Sequence, residues 1–149
     1  MELGRALLYR AGEGERLEAR GSVMLFKAVA SATHGRLSVM ERTLPPGGRM
    51  PPPHAHAASD EAYFVLDGVV TFLVDGERVT GEADCFVLVP GGVIHTFGNH
   101  SSQLARLLII HSPGLDPYFR DLSELWSGPE PPAPEAEREL MQRHGMELA

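Results

Sequence analysis

Between residues 22 and 111 the apolar side chains come in short runs, broken every few positions by Gly, Pro or Asp, and no long segment there repeats with a helical period. This rhythm predicts strands over about 22–29, 35–44, 61–67, 69–74, 77–80, 85–89, 93–98 and 104–111, and hence an all-β domain. Asp75-Gly76, flanked by Val-Thr-Phe-Leu-Val and Glu-Arg-Val, predicts a two-residue hairpin, because both turn positions tolerate positive φ. With Val70, Phe72 and Val74 facing inward, Val69, Thr71 and Leu73 face outward. That surface is apolar enough to predict a homodimer that covers it.

The pattern changes after Pro113. Asp116 is placed to cap a helix with Pro117 at its first position, and Leu115, Tyr118, Phe119, Leu122, Leu125 and Trp126 then recur at helical spacing. Residues 127–134 are Pro-rich and read as extended, and Glu135 to His144 reads as a second helix ending at Gly145. The apolar stripe has no partner within its own helix, so it must pack on the β domain or on a second subunit. We therefore divide the chain into a β domain over 1–112 and a C-terminal helical segment over 113–149.

Composition narrows the function classes. The chain has 149 residues, 43% apolar and 22% charged, enough for one domain with its own core. A formal net charge of −7 leaves no basic footprint for phosphates and argues against a nucleic-acid partner. Cys85 is the only cysteine, which excludes an intrachain disulfide and a cysteine-rich zinc site and suits a reducing compartment. The longest apolar run, Leu107 to Ile110, is far too short to cross a bilayer, and Arg, Glu and Gly interrupt the N-terminus before any signal-like stretch. The expectation is a cytoplasmic protein with a small-molecule ligand and no membrane.

Four residues carry candidate metal chemistry. His54 and His56 are two apart, so an extended strand presents both imidazoles on one face, and Glu61 follows a short turn later. His95 follows Pro90-Gly91-Gly92-Val93-Ile94, a turn leading into another apolar strand. Three imidazoles and a carboxylate suit Fe(II), Mn(II), Ni(II), Cu(II) or Zn(II). Taken singly, the same residues also suit surface histidines in a Pro-rich loop, a solvated carboxylate and a hydrogen-bonded core histidine. His111, at the end of an apolar strand, suits either the barrel mouth or, better, a satisfied structural histidine, and Cys85 reads as a small core residue.

Together these positions resemble the cupin family. Gly48-x5-His54-x-His56-x4-Glu61-x6-Gly68 matches its first motif and Pro90-x-Gly92-x2-His95-x3-Asn99 the core of its second, within 48–68 and 84–99. One departure exists: Asp84 stands where the family usually has glycine, and Cys85 where it usually has an acidic residue. The resemblance implies a single antiparallel jelly-roll barrel holding one divalent metal (Fe, Mn, Ni or Zn) with His54, His56, Glu61 and His95. The period of two then puts Tyr63 inward beside Glu61, and Phe97 and Asn99 inward beside His95; with Phe72 they make the expected substrate pocket. Small quercetin-dioxygenase-like cupins imply a dioxygenase acting on an oxygen-chelating substrate, with Glu61 as base. The alternatives are a redox-neutral Lewis-acid cyclase, isomerase or lyase, and a non-catalytic metal- and metabolite-binding module.

Overall fold

A computed structural model of the chain describes residues 2–149. Strands β1 (Glu2–Leu3) and β2 (Ala6–Leu7) pair as a small ribbon. The larger sheet contains β3 (Glu15–Ala19), β4 (Ser22–Ala28), β5 (Ser38–Leu44), β7 (Asp60–Asp67), β10 (Phe86–Val89) and β12 (Ala105–Ser112), in the order β10-β7-β12-β5-β4-β3. The smaller sheet contains β6 (His54–His56), β8 (Val70–Val74), β9 (Glu77–Gly81), β11 (His95–Gly98) and β13 (Met146–Leu148), in the order β13-β6-β11-β8-β9. Every pairing is antiparallel. The two sheets form an all-β jelly roll, with helices α1 (Asp116–Leu125) and α2 (Pro134–Arg143) near its C-terminal end.

All eight expected strands form, each within three residues of its expected ends. Alternation decides what faces in: Met40, Arg42 and Leu44 on β5, Tyr63 and Val65 on β7, and Leu107 and Ile109 on β12 are buried, with half-buried or exposed residues at the alternate positions. Each such apolar side chain contributes about 1.5–3 kcal/mol by leaving water. The hairpin turns at Asp75 (φ 49°) and Gly76 (φ 80°), with Val74 opposite Glu77. Asp84, where the resembled family usually has glycine, adopts φ 71°, a left-handed conformation that aspartate tolerates.

Two expectations need correction. Thr71 is buried and Val69 and Leu73 are half-buried, so the supposed outer face of β8 is largely covered within the chain. Among the described residues, the most exposed large apolar side chains are Phe86, Leu88 and Leu104. Asp116 does not cap α1 either; Leu115 precedes the first turn, and the Asp116 carboxylate accepts from Ala30 N–H at 2.7 Å and from Arg120 at 2.6 Å. Packing elsewhere outcompeted the local cap.

The C-terminal segment lies against the barrel. Tyr118, Phe119 and Leu122 of α1 are buried, with the Phe119 ring 5.9 Å from that of Phe26. After α2, Gly145 turns at φ 82° into β13, which pairs with β6: Met146 lies opposite His56, and Leu148 opposite His54. Among the described residues no helix is long and apolar enough to cross a membrane.

Candidate metal centre

The site lies between the sheets, and each sheet supplies part of it. Pro51, Pro52 and Pro53 hold the chain extended into β6, whose His54 pairs with His95 of β11. Across the barrel, Glu61 opens the inward row of β7, and the β12 register sets His111 directly opposite it. The smaller sheet thus brings three imidazoles to face one carboxylate and a fourth imidazole from the larger.

His54, His56, Glu61 and His95 are all buried, and their candidate donor atoms lie within 4.8 Å of one another. Glu61 Oε2 accepts hydrogen bonds from His56 Nε2 at 2.8 Å and from His95 Nε2 at 2.9 Å. On the outer side, His54 Nδ1 bonds Pro52 O at 2.7 Å and His95 Nδ1 bonds Val93 O at 2.9 Å. These carbonyls fix both rings with Nε2 toward the centre, the usual outer support of metal-ligating histidines.

The electrostatics agree with that chemistry. Burial, helped by the nearby His95 and His56, pushes His54 down to about 3, so it is neutral and available as a ligand. Burial likewise lowers His56. Burial alone would raise Glu61, but the neighbouring His111, His56 and His95 outweigh it and hold the carboxylate well below its ordinary range. For His95 burial pulls downward, yet the hydrogen bond and charge of Glu61 prevail and raise it. Three imidazoles and one ionised carboxylate, enclosed and preoriented, are compatible with a divalent transition metal.

The other expected residues divide. Phe97 lines a narrow cavity beside the cluster, with room for about one water molecule. Tyr63 and Phe72 stack behind it, the Tyr63 ring 5.2 Å from Phe97, 5.1 Å from Phe72 and 6.4 Å from His95. Asn99 stands apart from the cavity. Its amide donates to Leu44 O and Gln103 O and accepts from Ser101, which fixes a loop.

Sequence reasoning missed three residues here. His111, read as structural, is buried with its Nε2 3.2 Å from Glu61 Oε1, a close approach whose geometry falls short of a hydrogen bond. Arg42 and Arg20 also line the cavity. The period of two could have flagged His111 behind Leu107 and Ile109, and Arg42 between Met40 and Leu44. Nothing in the sequence marks Arg20, which sits at φ 53° in the turn between β3 and β4.

Comparison with known proteins agrees with this architecture. Residues 40–111 match the family described as the cupin domain. The chain is 28% identical over 121 residues, 79% of its length, to quercetin 2,3-dioxygenase of Bacillus subtilis, but spans only 35% of that protein. A predicted oxalate decarboxylase from Thermotoga maritima superposes with a TM-score of 0.64 at 23% identity, covering 72% of this chain and 99% of that one. KdgF from Halomonas sp. superposes at 0.65 with 16% identity, covering 75% and 97%. At these identities the superpositions speak for the fold alone.

Proposed function

Because the chain belongs to the cupin superfamily, we propose that it is a metal-dependent, dioxygenase-type oxidoreductase whose substrate chelates the metal through two oxygens. The observation that carries this reading is the buried His54, His56, Glu61 and His95 set with a cavity on one side of it. A closed tetrahedral structural site would have no use for that opening. Similarity to quercetin 2,3-dioxygenase over 121 residues supports oxidative chemistry.

When bound by these four residues, an ion such as Fe(II), Mn(II) or Ni(II) supplies Lewis acidity and exchangeable positions for a chelating ligand. The chain supplies the rest. Glu61 Oε2 is engaged by His56 and His95, which leaves Oε1, 3.2 Å from His111 Nε2, as the oxygen placed to take the substrate's proton. Phe97 and Phe119 supply the apolar part of a wall they share with Arg20 and Arg42.

In this reading the barrel over 1–112 carries the chemistry and 113–149 supports it. A second copy covers the exposed Phe86 and Leu88 on edge strand β10. The decisive experiment is oxygen uptake by the Fe(II)-loaded protein with catechols and β-diketones. Consumption that disappears in the His54→Ala variant supports the proposal; turnover with Zn(II) under anaerobic conditions would replace it by redox-neutral chemistry.

A further inference from the structure

Arg42 is a fully buried cation without a counterion. It occupies the inward row of β5 between Met40 and Leu44, 2% exposed, and faces Met24 and Leu107 on the neighbouring strands. Its Nε donates to Ser22 Oγ at 3.0 Å, and its guanidinium lies 5.4 Å from the centre of the Phe97 ring. Among the described residues, no carboxylate lies within ion-pairing distance of it, and its terminal nitrogens have no protein acceptor. Burial and the nearby Arg20 push it down to about 10, so it remains charged at neutral pH.

The second arginine of the cavity differs. Arg20 pairs through Nε with the Glu137 carboxylate of α2, and its terminal nitrogen donates to Tyr118 Oη at 3.1 Å. Arg20 is therefore satisfied, while Arg42 is not. With the imidazoles neutral, the Glu61 carboxylate formally balances Arg42 across the cavity without pairing with it, and a divalent ion held by the cluster would leave the walls with an excess positive charge. A buried charge without a partner is costly, and an anion entering the cavity relieves that cost.

We propose that Arg42 is the anion-recognition residue of this cavity and that the ligand is a small organic carboxylate, its carboxyl group held by the free edge of the Arg42 guanidinium while its oxygens reach the metal. This rests on the metal-site reading above and deepens it by naming a substrate class. A planar guanidinium matches a carboxylate with two parallel hydrogen bonds, which a lysine could not supply. The cavity has room for about one water molecule, so any organic ligand enters by moving side chains, and a small acid demands the least movement.

The test uses the full chain loaded with Zn(II) and two probes of nearly equal shape, acetylacetone and acetoacetate, titrated by calorimetry with metal content measured before and after. The wild type should bind acetoacetate at least about tenfold tighter than acetylacetone. In the Arg42→Met variant acetoacetate should lose that advantage while acetylacetone binding is unchanged, with metal content and melting temperature equal to or above wild type. The Arg42→Lys variant keeps the charge but not the fork and should fall between. If Arg42→Met weakens both probes alike, or leaves acetoacetate unaffected, Arg42 is structural and the inference fails while the metal site stands. If neither probe binds the loaded wild type, the oxygen-chelating reading of the site falls with it.

Discussion

Removing the Glu137 carboxylate should unfold far more than the surface of helix α2. Glu137 and Arg20 form an ion pair whose side chains are 11% and 2% exposed, and Arg20 forms part of the cavity wall. Glu137→Ala leaves Arg20 charged and enclosed, and deleting one partner of a buried pair costs about 3–5 kcal/mol. For a domain of 149 residues, at about 2–4 °C per kcal/mol, the melting temperature should fall by roughly 6–20 °C. Replacing both partners with apolar residues, Arg20→Met with Glu137→Leu, should recover much of that loss, because no orphaned charge then remains. Differential scanning calorimetry of the wild type, both single variants and the double variant measures this directly. A Glu137→Ala variant within about 1 kcal/mol of wild type would mean that Arg20 finds water or another acceptor, and the enclosed-pair argument would collapse.

Other outcomes follow from the same geometry. His95→Ala should sharply lower metal occupancy by elemental analysis, since an open site depends on every preoriented ligand; full occupancy would refute the ligand assignment. In chelator-stripped protein, His54 titrates near 3 when folded and near 6.5 when unfolded, so between those values the unfolded chain binds more protons. Stability should therefore fall as pH drops from about 6.5 toward 3, and His54→Asn should flatten part of that slope in denaturant titrations. Identical slopes would show that His54 is not held neutral by the fold. Light scattering at micromolar concentration should give a dimer for wild type and a monomer for the Phe86→Asp, Leu88→Asp variant; a monomeric wild type removes the proposed interface.

The fold was readable where one face of a strand is buried, because alternation then writes itself into the sequence, as in β7 and β12. It was not readable in β3, whose Glu-Arg-Leu-Glu-Ala offers little apolar signal at a sheet edge, nor in β13, three residues shaped by a pairing partner far along the chain, and β6 was legible only through its His-x-His spacing. The grouping of His54, His56, Glu61 and His95 was legible because spacing and residue type together are restrictive. Arg42 was overlooked and His111 read as structural for the opposite reason: a lone polar residue in an apolar row looks like noise until the register shows what stands across from it. Asn99 misled because period-two alternation was carried one residue past the end of β11, where the side chain serves the loop instead.

Strand β13 has a consequence for the order in which the protein is made. The histidine strand β6 borders β11 on one side and β13 on the other, and Met146 pairs with His56 across a separation of 90 residues. On a ribosome adding about 5–20 residues per second, His54 and His56 emerge several seconds before the strand that flanks them exists. During that interval β6 is an open edge, three residues long, with its imidazoles unguarded by the finished wall. A nascent chain stalled before residues 146–148 would therefore display these histidines without the strand that flanks them in the finished sheet.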